Sequence, residues 1–168
     1  ENKRYLQNGV VSNFNKVLNS IESSSFLKEK NILCSFNEHT NYEVRNPLMK
    51  MAKKRADVNV KKFKLPIDYL KELSKYKYNL CPEGNNFESH RIWESLLFNC
   101  TPIVLDNLVN RNFYELGIPL VILESWDQFK KISINELDML NEKNDGKEYK
   151  KFVYFKFWEE LILSKKIN

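Results

Sequence analysis

From residue 31 onward, short apolar runs alternate with amphipathic stretches along the chain. Asn31–Phe36 (NILCSF) reads as a buried strand, and Val58–Phe63 alternates with the two-residue period of a strand. Tyr78–Cys81, Thr101–Leu105 (TPIVL) and Pro119–Leu123 (PLVIL) complete the set. The intervening stretches carry helical spacing. Pro47 to Ala56 places Pro47 near a first turn, with Leu48, Met51 and Ala52 on one face. Pro66 opens a second helix with Ile67, Leu70 and Leu73 inward, and Ser89–Phe98 forms a third. Phe113–Leu116 reads as a helical turn, and 125–131 and 134–141 as helices.

Two outer elements flank this alternation. Residues 12–22 set Phe14, Val17, Leu18 and Ile21 at helical spacing behind a Ser12 cap signal. After the loop NEKNDGK, Glu148–Ser164 reads as a helix that packs Tyr154, Phe157, Trp158, Leu161 and Ile162 as core. Short β-rich runs separated by amphipathic helices predict an α/β fold, a Rossmann-like parallel sheet flanked by helices. The expected organisation is an N-terminal helix and linker over 1–30, the Rossmann-like domain over 31–145, and a C-terminal aromatic helix over 146–168 packed on it.

Bulk composition refines this picture modestly. The 168 residues fit one domain, and 42% hydrophobic with 29% charged content is the balance of a globular chain. No apolar run approaches the ~20 residues of a membrane-spanning helix, so no membrane span is expected. The stretch ENKRYLQNGVVSNF lacks the apolar region of a secretory signal, and a cytoplasmic placement is expected. The three cysteines, Cys34, Cys81 and Cys100, each border a predicted strand, and no C-x-x-C pair occurs. Reduced, partly buried thiols are the reading, with neither a disulfide framework nor a zinc site.

The net charge of +5 is concentrated. Residues 50–64, KMAKKRADVNVKKFK, hold seven basic residues and one acidic. No aromatic interleaves that run before Phe63, so a solvated helix end and strand edge are expected rather than a nucleic-acid footprint.

The densest polar chemistry follows Cys81, in LCPEGNNFESHRIWESLLFNCTPIVL, although the chain has only 4 glycines. The loop Pro82–Ser89 leaves a strand at its carboxyl end, where open α/β sheets bind ligands, and feeds a helix N-terminus that attracts anions. Gly84 would let backbone approach a ligand; Asn85 and Asn86 tolerate left-handed geometry and can cap the helix. Ile92, Trp93, Leu96, Leu97 and Cys100 form the stripe toward the sheet, whereas His90, Arg91 and Glu94 share another face. A cation beside a helix N-terminus implies an anion between them, and the planar fork of Arg91 suits phosphate. Glu94, a turn deeper, can accept hydrogen bonds from vicinal hydroxyls such as a ribose. An ordinary surface helix with an Arg91–Glu94 ion pair is the competing reading of the same residues.

The pattern C-P-E-G-N-N-F-E-S-H-R-I-W-E-S-L-L-F-N-C-T-P-I-V resembles the donor-binding segment of exostosin-like glycosyltransferases. More distantly it is similar to the GDP-binding stretch of α1,3-fucosyltransferases. The close match covers about residues 76–105, with weaker similarity back to Asn31, through Arg45, and forward into the terminal aromatic helix. Asn86 and Asn99 stand where the family usually has glycine, and Asn is the commonest substitute in left-handed geometry.

The resemblance implies the C-terminal half of a GT-B enzyme that moves a hexosyl- or fucosyl-type sugar from a nucleotide diphosphate to a glycan, protein or lipid acceptor. It implies that Gly84, Asn85, Ser89, His90 and Arg91 surround the diphosphate and that Glu94 holds the ribose. Arg45, His39 and Glu88 are secondary candidates. A GT-B enzyme needs a second such domain, so another domain or a partner chain is expected to supply it, along with any catalytic base. No D-x-D occurs, so a metal-independent mechanism without cofactor is expected. The alternative is a non-catalytic Rossmann-like module that binds a nucleotide or carbohydrate.

Overall fold

The computed structural model describes residues 28–165; the helix expected at 12–22 lies outside the described residues. Five strands form one parallel sheet: β1 (Lys30–Cys34), β2 (Val58–Val60), β3 (Tyr76–Leu80), β4 (Thr101–Leu105) and β5 (Val121–Leu123), in the order β2-β1-β3-β4-β5. Ile32 of β1 pairs with Val58 on one side and Tyr78 on the other, Tyr78 with Thr101, and Ile103 with Val121. The strands are almost continuously apolar because helices cover both faces of a parallel sheet.

Side-chain alternation along each strand divides the core. Ile32, Cys34, Leu80 and Ile103 meet three helices: α1 (Tyr42–Ala52), α5 (Trp126–Lys131) and α6 (Ile134–Glu142), through Leu48, Met49, Phe129 and Leu137. Leu33 points the other way and joins Leu70 and Leu73 of α2 (Pro66–Leu73). On that second side Cys81 and Val104 pack with Ile92 and Leu96 of α3 (Arg91–Leu97). Phe113 of α4 (Leu108–Glu115) packs there too, as do Phe157 and Trp158 of α7 (Phe155–Lys165). The architecture is therefore the expected α/β, Rossmann-like arrangement.

Several boundaries differ from expectation. Helix α1 starts at Tyr42 behind Asn41 in the left-handed conformation, so Pro47 lies inside the helix rather than in its first turn. Helix α4 begins at Leu108 because the Asn107 side chain accepts the Asn110 N–H at 2.8 Å, a cap that extends the expected turn at 113–116. Helix α3 covers seven residues, Arg91–Leu97, rather than Ser89–Phe98.

The C-terminal aromatic segment is not one helix. A 3-10 turn at Lys150–Val153 ends where Tyr154 is extended, and α7 begins after it. That break resets the helical phase: Phe157 and Trp158 pack inward, whereas Tyr154 and Ile162 are each 56% exposed. All three cysteines are free and buried. Burial pushes the thiols up, those of Cys34 and Cys100 to about 12, so they stay protonated.

Candidate functional site

Strand order fixes where the sheet opens. From β1 the chain moves outward to β2, then crosses back over β1 to β3, so the loops after β1 and β3 diverge. Such a reversal creates a crevice at the carboxyl ends of the strands. Arg45, buried on α1, spans this crevice. Its Nε donates to the Glu83 carbonyl at 2.8 Å, Nη2 to the Pro82 carbonyl at 3.1 Å and Nη1 to the Asn37 carbonyl at 3.3 Å. The guanidinium also lies over the Phe36 ring, 5.6 Å from its centroid. Among the described residues no carboxylate pairs with it. Burial, then the positive field of Arg91, pulls its pKa below the ordinary arginine value.

Gly84 serves this strap. A Cβ built there would lie 3.2 Å from Nη2 of Arg45, so the close approach that favours glycine is made by an arginine of the same chain. The rest of the loop departs from expectation. Asn85, Asn86 and Glu88 are exposed, and neither asparagine adopts positive φ or caps α3. His90 occupies the cap position without a side-chain bond; Ser89, buried, accepts the Arg91 N–H through Oγ at 3.4 Å. The asparagines are displaced because the helix starts after His90, beyond their reach. With seven residues, α3 also offers a shorter dipole than the expected ten-residue span.

His90, Arg91 and Glu94 do converge. They line a hollow of about 240 Å³ whose other walls include Ser35, Phe63 and Tyr69. Ser35, Phe63 and Arg91 also border an adjoining hollow of about 270 Å³, which extends to Asn37, Lys61 and Lys62 above β1 and β2. A larger hollow, of about 640 Å³, lies elsewhere, among Asn99, Lys147, Tyr149 and Tyr154. None of the candidate residues lines it, and its walls are lysine stems and tyrosines without a carboxylate other than Glu148.

Arg91 sits over the Tyr69 ring at 5.1 Å, and its Nη1 lies 3.8 Å from Glu94 Oε2. That separation is an ion pair but too long for a hydrogen bond. Glu94 Oε2 is buried and has no hydrogen-bond partner. Burial raises the Glu94 pKa, opposed by Arg91, His90 and a Tyr69 hydrogen bond. Behind it, the fully buried Asn79 of β3 donates through Nδ2 to the Tyr69 hydroxyl at 3.1 Å and to Ser95 Oγ at 2.9 Å. Ser95 Oγ in turn donates to the Arg91 carbonyl at 2.6 Å. This network fixes the tyrosine and the first turn of α3 against the sheet.

The remaining candidates stand apart. His39 is exposed and stacks on Tyr42, 6.3 Å between rings, and it lines neither hollow. Glu88 and Asn85 line neither hollow. Sequence reasoning missed Tyr69, Phe63, Ser35 and Asn79. Only Asn79 left a trace, as the single amide in an otherwise apolar-aromatic strand end, YNLC. The assembled hollow thus offers a guanidinium that lacks a strong partner, a buried carboxylate oxygen with free acceptor capacity, an imidazole and an aromatic wall. That set can bind an anion beside a group bearing hydroxyls. Compared with known proteins, the chain matches no family model and no curated protein.

Proposed function

We propose that the chain is the donor-binding domain of a nucleotide-sugar-dependent glycosyltransferase. One observation carries the reading: Arg91, His90 and Glu94 share a single hollow at the carboxyl edge of the sheet, beside the strand-order reversal. In this reading Arg91 takes a diphosphate oxygen, His90 adds a second donor, and the free Oε2 of Glu94 accepts from ribose hydroxyls. Arg45 acts from behind by holding the two loops that frame the crevice.

In this reading those positions serve the leaving group. Glycosyl transfer breaks the bond between the anomeric carbon and the diphosphate oxygen, so negative charge accumulates on the departing diphosphate. Fixed cationic donors aimed at that charge stabilise the transition state more than the ground state. The acceptor and the group that removes its proton belong to another domain or a partner chain.

Calorimetric titration of the purified chain with UDP and GDP tests the reading. At least one is expected to bind, and Arg91→Ala or Glu94→Ala is expected to weaken binding by roughly tenfold or more, the size of a lost charge-assisted hydrogen bond. Absence of binding by both nucleotides, or binding indifferent to both substitutions, would overturn it. Binding without turnover of any nucleotide sugar, once a catalytic partner is supplied, would leave the non-catalytic module.

A further inference from the structure

The basic run that the donor site does not use gathers around a groove of about 450 Å³ between α1 and α5. Pro47, Lys50 and Met51 line it from α1, at the i, i+3, i+4 spacing of one helix stripe, Lys54 joins them from the turn that follows, and Lys130 faces them from α5. Pro47 and Met51 supply apolar surface; the three lysines are exposed at the rim. Arg55 closes one end and is already committed. It binds both oxygens of Asp57, through Nε at 2.9 Å and Nη2 at 2.5 Å, donates to the Phe129 carbonyl, and lies 4.6 Å from the Phe129 ring centroid. The end of α1 is thereby tied to α5, so the groove is preformed.

Several lysines elsewhere on the molecule find carboxylates, whereas others, Lys53, Lys64 and Lys71 among them, do not. Lys30, Lys61 and Lys75 share Glu72, Lys62 meets Glu38 and Lys77 meets Asp138. Lys50, Lys54 and Lys130 form no ion pair with any described residue, and no carboxylate lines their groove. Placement near helix C-termini accounts for a favourable dipole interaction at Lys50 and Lys130. It does not account for their convergence with Lys54 on a concave, apolar-floored groove.

We propose that this groove docks an acidic protein segment, with an apolar side chain seated on Met51 and Pro47 and flanking carboxylates on Lys50, Lys54 and Lys130. Chemistry of the walls selects this occupant. No aromatic lines the groove to stack a base and no amide or hydroxyl is present to read one, whereas a phosphodiester chain would leave the apolar floor uncovered. A planar anionic lipid surface could reach the lysines but not the floor between the helices. Methionine suits a surface that adapts to a partner's apolar side chain. The groove lies at the C-terminal ends of its two helices, and none of its lining residues borders the hollow of Arg91 and Glu94.

Fluorescence anisotropy on the full chain tests the proposal with four probes. They are a labelled peptide carrying leucines one helical turn apart among glutamates, a polyglutamate of equal charge, a thymidine oligonucleotide and phosphatidylserine vesicles. The leucine-bearing peptide is expected to bind roughly tenfold tighter than polyglutamate. It should lose roughly tenfold in affinity on Lys50→Gln with Lys54→Gln, and again on Met51→Asp, while Arg91→Ala leaves it unchanged. Both lysines are exposed, and matching thermal unfolding of the double variant checks that its fold is intact. Equal or tighter binding of polyglutamate, oligonucleotide or vesicles would overturn the proposal. So would no peptide binding, or binding indifferent to the double variant.

Discussion

Arg45 and Gly84 meet at the centre of the crevice: the guanidinium bonds the carbonyls of Pro82 and Glu83, and a Cβ on Gly84 would stand 3.2 Å from its Nη2. The arginine cannot retreat without releasing those carbonyls. Glycine is therefore favoured here by a neighbour's side chain, since the position does not carry positive φ.

Gly84→Ala is expected to destabilise the fold by about 1 kcal/mol, the lower end of the overpacking range. Arg45→Ala is expected to cost about 2–4 kcal/mol, because three backbone carbonyls lose a charged donor. Arg45→Lys should recover only part, since a single ammonium cannot span both loops. Urea unfolding monitored by tryptophan fluorescence measures all three. An Arg45→Ala midpoint equal to that of the wild type would contradict the strap.

Glu94 sets a pH dependence of unusual sign. Its folded pKa is raised by burial, so the native state holds a proton more tightly than the unfolded chain does. The associated stability is present below the ordinary carboxylate value and is lost as pH rises through the raised one. Glu94→Gln should thus be more stable than the wild type at neutral pH and equal to it in acid, read by thermal unfolding across that window. A carboxylate kept at a cost to the fold is expected where a ligand needs it.

Glu72 behaves in the opposite way. Burial would raise its pKa, but hydrogen bonds from Lys30 at 2.5 Å and Lys61 at 2.6 Å prevail and hold it at about 2. Its contribution is complete above the ordinary value of 4.5 and disappears as pH falls toward about 2. Glu72→Gln should flatten that acid-side decline while lowering stability at pH 7, checked by thermal unfolding in a pH series. The carboxylate ties β1, the chain just after β2, and α2 together, so its loss should loosen one edge of the sheet first in amide exchange.

Asn99 turns the chain from α3 into β4 with φ 51. Asn99→Gly should keep wild-type stability, whereas Asn99→Ala should cost about 1 kcal/mol, the penalty for a Cβ in left-handed geometry. Paired thermal melts decide it.

Period and turn chemistry made the sheet legible. NILCSF, TPIVL and PLVIL each announced a strand, and Asn99 announced its turn. Boundaries moved where local cap chemistry outweighed the apolar pattern: Asn107 extended α4, and the left-handed Asn41 started α1 ahead of Pro47. At the site, helical spacing alone grouped His90, Arg91 and Glu94. It could not reveal Phe63 and Tyr69, which arrive from the preceding crossover, or that Gly84 answers to Arg45. Asn85 and Asn86 looked like caps because composition does not report where a helix starts; His90 takes the cap position, and Ser89 accepts the Arg91 N–H.

The two adjoining hollows are walled from residues 35–37, 61–69 and 90–94, three stretches that share nothing until β1, β2 and β3 have paired. No excised peptide and no fragment ending before α3 owns a binding site of this kind. A molecule settling there would act as a clamp on the most non-local part of the topology, resisting its unzipping in proportion to the logarithm of its concentration. Melting temperature is thus itself a ligand assay, one that needs no knowledge of the reaction.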